Sequence, residues 1–353
     1  MGLLEKRFLL TGGAGFIGMH VARSLVEKDH EVIIIDNLND YYNPQLKLDR
    51  LGQLGLNHID ESSVNVSSRY PKLSFIKGDI VDKQLIFDLF DSYRPHIVIH
   101  LAAQAGVRYS IENPDTYIQS NVVGFLNLLE AVRHFPVLHF VFASSSSVYG
   151  LNGKLPYSTH DSVSHPVSLY AATKIADEMM AHTYSHLFKI PCTGLRFFTV
   201  YGPWGRPDMS PYLFADAISS DKPLKVYNNG NMRRDFTYID DIVEGIIQVI
   251  NCPPASDASW DNQMSDSATS SAPYKIYNIG NTHSVNLIDY ISAFESAFGK
   301  KGKKDFLPLQ PGDVLETYSD MSDMKRDFGF SPKVDVTEGV KRYVEWFKSY
   351  YAR

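Results

Sequence analysis

Tyr170 and Lys174 are a pair whose types and spacing suit proton transfer in this 353-residue chain. They stand four residues apart in Leu169–Leu187, where the apolar pattern predicts a helix, so phenol and ammonium share one face. A phenol with a pKa of about 10 is a poor base near neutrality, and an adjacent positive charge stabilises its anion. Lowering that pKa by about three units takes roughly 4 kcal/mol of charge stabilisation. A second stretch, Gly12-Gly13-Ala14-Gly15-Phe16-Ile17-Gly18, lies between apolar Arg7–Thr11 and amphipathic Phe16–Lys28. A glycine turn between strand and helix is the cradle of a dinucleotide pyrophosphate. Taken singly, the pair also reads as an ordinary helix face, and the turn as a plain loop. Together they point to a nicotinamide enzyme that deprotonates a hydroxyl with tyrosine as base.

The turn can be read residue by residue. Gly12 allows the tight bend, Gly15 the close approach of backbone to pyrophosphate, and Gly18 close packing of helix on sheet. The helix N-terminus adds free N–H groups and partial positive charge. Asp36 follows the apolar run Glu31–Ile35, where a carboxylate grips the adenosine ribose diol. That charge repels a 2′-phosphate and no arginine follows it, so NAD is favoured over NADP. Asp79, in Gly78-Asp79-Ile80, has two readings: reaching the adenine, or closing a turn.

The elements that must carry these residues alternate. Strands are expected at Arg7–Thr11, Glu31–Ile35, Leu73–Ile76, Ile97–Leu101, His139–Ala143 and Cys192–Arg196. Several are nearly continuous apolar runs, as in parallel strands covered on both faces. Between them, Phe16–Lys28, Lys83–Ser92, Thr116–His134 and Leu169–Leu187 show helical periodicity. This rhythm predicts an α/β fold: a Rossmann-type, doubly wound parallel sheet with ligand sites at the strand C-terminal ends. Residues 1–196 would form the NAD-binding domain. After them the alternation breaks at Pro203, Pro207 and Pro211, and 197–353 would form a smaller α/β substrate-binding domain, with the chain crossing back. Gly52–Ser68 reads as a surface insertion, Pro253–Ala272 as an exposed loop, and Val336–Tyr350 as a final amphipathic helix.

Composition narrows the class. The formal net charge of -6 argues against nucleic acid as a partner, because a phosphate backbone needs a basic face. Lys300-Lys301 and Lys303-Lys304 form only a small positive cluster in an expected loop. Two cysteines, Cys192 and Cys252, make no disulfide framework and no metal spacing, and the 12 histidines are scattered; no metal is expected. The run Phe8-Leu9-Leu10 is too short for a signal peptide or membrane span. The expectation is a soluble, cytoplasmic protein.

Further stretches carry a resemblance that runs nearly the whole length. They are Asp36-Asn37, HLAAQAGVRYS at 100–110, Asn121-Val122-Val123-Gly124, FASSSSVYG at 142–150, YAATK at 170–174, LRFFTVYGPWGRPDM at 195–209, RRDFTYIDD at 233–241 and QPGDV at 310–314. With the glycine turn and Gly78-Asp79-Ile80, the chain resembles the extended short-chain dehydrogenase/reductases. Among these it is most similar to nucleotide-sugar 4-epimerases acting on UDP-glucuronate. The resemblance implies a cycle in which Tyr170 takes the sugar O4 proton as C4 is oxidised by resident NAD. The 4-keto sugar then turns and is reduced from its other face. It places Ser145 beside the reacting oxygen. It also implies cofactor contacts from Phe16, Ile17, Asn37, Asn39, Ile80, Leu101, Ala102, Ala103, Asn121 and Phe198, beside Gly12, Gly15, Gly18, Asp36, Asp79, Tyr170 and Lys174.

The serine run separates the branches. Sugar 4,6-dehydratases of this kind carry an Asp-Glu pair after the catalytic hydroxyl, because eliminating water needs an acid and a base. UDP-glucuronate decarboxylases carry a Glu just before Val-Tyr-Gly, and reductive epimerases an added Cys/His pair. Here Ser146 and Ser147 occupy those places. With Thr199 they suit a substrate carboxylate, the other reading being hydroxyls that cap local backbone. Arg206 resembles the family arginine that recognises the carboxylate or controls decarboxylation geometry. Arg108 is a weaker candidate for that pocket, a structural ion pair being at least as good a reading. By resemblance, Arg234 grips the diphosphate, and Gln310 and Asp313 the uridine end.

The expected function is therefore a UDP-glucuronate/UDP-galacturonate 4-epimerase with NAD, working as a homodimer through Thr116–His134 and Leu169–Leu187. Alternatives are a 4-epimerase of neutral UDP-hexoses, a C5 epimerase of the uronate, and an NAD-binding regulator without turnover. The Tyr-Lys pair weighs against the last.

Overall fold

Near-continuous apolar runs become the strands of one eight-stranded sheet in the computed structural model, which describes residues 5–261, 263, 266–310 and 314–352. In chain order the first elements are β1 (Arg7–Thr11), α1 (Phe16–Val26), β2 (Glu31–Asp36), α2 (Gln45–Gln53), β3 (Asn65–Val66), β4 (Leu73–Lys77), α3 (Lys83–Tyr93) and β5 (Ile97–His100). Two short helices follow, α4 (Tyr109–Glu112) and α5 (Pro114–Tyr117), then α6 (Gly124–His134), β6 (His139–Ser145), α7 (Leu169–Phe188) and β7 (Cys192–Phe197). The remainder comprises β8 (Thr199–Tyr201), α8 (Ser210–Ser219), β9 (Pro223–Val226), β10 (Arg233–Tyr238), α9 (Ile239–Ile250), β11 (Tyr274–Ile279), β12 (Ser284–Asn286), α10 (Leu287–Phe298), β13 (Lys303–Phe306), α11 (Ser322–Phe328) and α12 (Val336–Tyr351).

The sheet order is β11-β7-β6-β5-β1-β2-β4-β3, the doubly wound arrangement with its reversal at β1. Parallel register aligns Thr11 with both Ile35 and His100, and His100 with Phe142. The ends of β1, β2, β5 and β6 are therefore level, and the residues following them leave the sheet along one edge. Beneath, Leu9, Ile33, Val98, Phe125, Phe140, Phe142 and Ile276 belong to one buried apolar cluster.

The chain divides into two compact units. The first holds residues 1–151, 159–196 and 245–277, and the second 152–158, 197–244 and 278–353. In the second, β12-β10-β8 make a three-stranded sheet and β13-β9 a parallel pair. Its core is aromatic: Tyr290 stacks on Phe236 with centroids 3.7 Å apart, and packs edge-on against Phe294.

Four sequence expectations need correction. Lys303 and Lys304 do not lie in a loop: they open β13, which pairs with β9. Thr116–His134 is not one regular α-helix, because Ile118–Val123 forms a wider turn of π-helix between α5 and α6. That turn buries Asn121 where its amide bonds a neighbouring loop. Gly52–Ser68 is more than an insertion, since Asn65–Val66 pairs antiparallel with β4 as the edge strand. Pro253–Ala272 is exposed at its start, but its end turns inward. Ala268 is wholly buried and its carbonyl accepts the Ile276 amide at 2.9 Å.

Candidate active site

The glycine turn leaves the end of β1 under tight steric control. Gly12 has φ 72°, and its amide donates to the Ile35 carbonyl at 2.8 Å. A Cβ on Gly12 would lie 2.6 Å from the Ala102 nitrogen; one on Gly18 would lie 2.2 Å from the Gly12 oxygen. Both positions exclude a side chain. Gly15 is the N-cap of α1 and supplies no side-chain bond to the first turn. Phe16 and Ile17 open the helix, so its first N–H groups face the turn with their dipole. Buried Arg50 braces the turn from α2, donating to the Ala14 carbonyl at 3.2 Å.

Asp36 ends β2, one residue beyond the predicted strand limit. Its Oδ2 accepts the Ala14 amide at 3.1 Å and its Oδ1 the Leu38 amide at 2.9 Å. The carboxylate thus ties the glycine turn to the next strand, and lone pairs remain on each oxygen. Asn37 donates to Asp79 Oδ2 at 2.8 Å, while Asp79 Oδ1 accepts the Val81 amide at 3.0 Å. Asp79 therefore closes its own turn and is held toward Asn37 at once. Asn39 receives Lys47 Nζ on both its backbone oxygen and its Oδ1. Ile80 is buried, with Gly124 packed so closely that a Cβ there would approach to 2.5 Å. These features fit a dinucleotide: a cradle without side chains, an uncapped helix start and a carboxylate at the end of the neighbouring strand.

Leu101, Ala102 and Ala103 follow β5 on the same edge. The Leu101 amide donates to Thr11 O at 3.2 Å and the Ala102 amide to Thr11 Oγ1 at 3.1 Å. Asn121 anchors the continuation of this loop. Its Oδ1 accepts the Gln104 amide at 2.8 Å, and its Nδ2 donates to Gln104 O and to Thr173 Oγ1. Both amide donors are spent on the protein, so Asn121 ties the loop to α7.

Ser168 starts α7 as its N-cap, accepting the Ala171 amide at 3.1 Å, which sets Tyr170 in the first turn. The Tyr170 ring meets Tyr117 edge-on, with centroids 6.2 Å apart. Tyr117 is itself fixed, its hydroxyl donating to the Ala105 and Gly106 carbonyls. One turn on, Lys174 is buried and donates to Asp177 Oδ2 at 3.1 Å. Burial pushes the Asp177 carboxyl up to about 7 against the pull of Lys174. His100, fully buried at the end of β5, is held neutral, first by burial and then by the Lys174 charge.

Ser145 is the last residue of β6. Its Oγ accepts the Ser147 amide at 3.2 Å and donates to Ser147 Oγ at 3.1 Å, so it caps the short turn Ser146–Tyr149. Its neighbour Ser144 points the other way, donating to Glu178 Oε1 at 2.6 Å. Glu178 takes a bidentate pair from Arg196 of β7, at 2.9 and 2.8 Å, with all three side chains buried. Arg196 also lies over the Tyr149 ring. This network locks α7, β6 and β7 together beside Ser145 and Tyr170. Nothing in single-residue patterning signalled Glu178, Arg196, Asp177 or Thr173; only the +4 spacing of Glu178 from Lys174, placing it on the helix face of Lys174, hinted at it.

In the second unit, Phe198 is buried and its amide donates to Ile279 O at 3.0 Å. Thr199 opens β8 opposite Phe236, and Arg234 lies two residues earlier along β10. Arg234 donates to the carbonyls of Arg233 and Leu315. Arg206 is paired with Asp208 through two bonds, at 2.9 and 2.5 Å. Gln310 is half-buried beyond β13, and Asp313 lies outside the described residues. In the first unit, Arg108 is exposed at the start of α4.

Comparison with known proteins extends over this whole frame. The family model described as GDP-mannose 4,6 dehydratase matches residues 9–343. Protein CapI of Staphylococcus aureus is 50% identical, covering 98% of this chain and 100% of that protein. A probable UDP-glucuronate 4-epimerase of Rhizobium meliloti is 40% identical, covering 98% of each. Among solved structures, UDP-glucuronic acid 4-epimerase from Bacillus cereus, in complex with UDP-glucuronic acid and NAD, superposes with a TM-score of 0.83. It is 31% identical, covering 98% of this chain and 100% of that one.

Proposed function

Because this chain belongs to the GDP-mannose 4,6 dehydratase family, as an extended short-chain dehydrogenase/reductase of the nucleotide-sugar epimerase kind, we propose that it is an NAD-dependent 4-epimerase. Its substrates are UDP-glucuronate and UDP-galacturonate, which it interconverts. One observation carries the choice within the family: the positions after Ser145 hold hydroxyls, Ser146 and Ser147, where elimination needs carboxylates.

NAD, held by the glycine turn, Asp36, Asn37 and Asp79, would supply oxidation of the sugar C4 and its return reduction. The protein handles the proton. Tyr170 takes it from O4 and gives it back, Lys174 stabilises the phenolate, and Ser145 hydrogen-bonds the same oxygen. Ser146, Ser147 and Thr199 donate to the uronate carboxylate, and Arg206, oriented by Asp208, keeps it turned. Held so, its C–C bond does not align with the neighbouring ketone, and loss of carbon dioxide is suppressed. Arg234, Gln310 and Asp313 take the UDP end.

The assembly is a homodimer in the reducing cytoplasm. Ile118 and Leu126 on the α5–α6 run, and Met179 and Leu187 on α7, are exposed apolar side chains on helices that pack side by side. Both cysteines are free thiols.

Incubating the pure protein with UDP-glucuronate in deuterated water tests the assignment. The expected product is UDP-galacturonate without carbon-bound deuterium. Deuterium at C5 would replace it with C5 epimerisation, a pentose product with decarboxylation, and no galacturonate with a neutral sugar or a non-catalytic role.

A further inference from the structure

Tyr170, Lys174 and Asp177 form a stripe along one face of α7, spaced four and then three residues. Asp177 is wholly buried, its Oδ2 accepts Lys174 Nζ at 3.1 Å, and its Oδ1 is buried with no partner among the described residues. A carboxylate left half-satisfied beside the very ammonium that supports a base is costly as architecture alone. We propose that Asp177 is a positioning residue that holds Lys174 and, by its own charge, sets the pH at which Tyr170 works as a base.

The proposal rests on the reading of Tyr170 as that base. When ionised, Asp177 offsets part of the positive field of Lys174 and so disfavours the phenolate. When protonated, it releases that field. Seven residues of helix separate Asp177 from Tyr170, about 10 Å along the axis. Across an interior with an effective dielectric constant of about 20, that separation corresponds to roughly one pKa unit.

The other charged groups bearing on the pair do not supply this effect. Glu178 is neutralised by its bidentate bond to Arg196. His100, at the end of β5, is buried and neutral. Burial holds Asp177 near a pKa of about 7, so its charge changes within the working range. While the carboxylate is ionised it offsets the ammonium, so the phenolate takes up its proton at a higher pH than it would beside Lys174 alone.

The test is the pH profile of turnover by the holoenzyme carrying Asp177→Asn, an isosteric change that keeps a hydrogen-bond acceptor for Lys174. The acid limb should move about one pH unit lower, and the tyrosinate absorbance assigned by difference from a Tyr170→Phe partner should move with it. An acid limb that stays in place, or moves higher, would overturn the proposal. Asp177→Ser carries the same expectation should the first variant not fold. Tyr170→Phe alone separates the two levels: if it turns over normally, the base assignment fails, whereas if it is dead and the Asp177→Asn profile is unmoved, only the role of Asp177 fails.

Discussion

Asn121 Nδ2 donates to Thr173 Oγ1 at 3.0 Å, joining the turn of π-helix at Ile118–Val123 to the helix that carries Tyr170 and Lys174. Thr173 Oγ1 in turn donates to the Tyr170 carbonyl at 2.8 Å. The loop after β5, held by the same amide through Gln104, and the first turn of α7 therefore move as one body. Asn121→Ala would strand the buried Gln104 amide and carbonyl and take one donor from Thr173 Oγ1. Its expected cost is roughly 1–3 kcal/mol in urea unfolding, with lower retention of NAD. Unchanged stability would mean water replaces the side chain without loss.

Glu178 and Arg196 make the second brace. Glu178→Gln should destabilise by roughly 3–5 kcal/mol, because Arg196 would be left charged and buried. A Glu178→Gln, Arg196→Met double variant should recover part of that loss. If the double variant is less stable than the single one, the pair is not the source of the cost.

Gly18 tests the cradle. A Cβ there would sit 2.2 Å from the Gly12 oxygen and 2.8 Å from the Gly13 Cα, so Gly18→Ala must push α1 away from the turn. A displacement costing about 1.4 kcal/mol in binding lowers NAD affinity tenfold. The NAD dissociation constant of the stripped variant, read by titration, should rise by at least about that factor.

His139, at the start of β6, gives a pH dependence of stability. It is buried, shares a bond with Thr193 Oγ1 at 2.8 Å, and burial lowers its pKa to about 4 from 6.5. As pH falls below 6.5 the unfolded chain takes up the proton and the folded one does not. The contribution is complete above that value and lost on the way down to about 4, reaching about 2.5 kcal/mol by pH 4.5. Asp177, whose folded-state pKa is raised, works in the opposite sense. The measurement is therefore a comparison: between pH 7 and 4.5, His139→Gln should lose less stability in urea than the unsubstituted protein.

The framework was legible where burial writes itself into local pattern. Ile33, Ile34 and Ile35 lie in a strand covered on both faces, so the apolar run and the strand coincide to within a residue. Gly12 and Gly18 were readable because only glycine fits where a Cβ would meet backbone 2.6 or 2.2 Å away. The turn of π-helix was not, since Asn121 is drawn inward by Gln104 and Thr173, partners at separations of 17 and 52 residues. The same holds for Glu178, whose role depends on Arg196 arriving on β7, and for Asp177, which reads as a polar surface residue until its helix is docked. Ser145 stands out in the sequence only by its motif, because its bonds to Ser147 belong to a turn that periodicity does not encode.

The central claim is proton transfer by Tyr170, and one substitution addresses it. The Tyr170→Phe protein, given UDP-glucuronate and followed by proton NMR, should form UDP-galacturonate at least about a hundredfold more slowly while retaining its NAD. Interconversion at an undiminished rate would contradict the account.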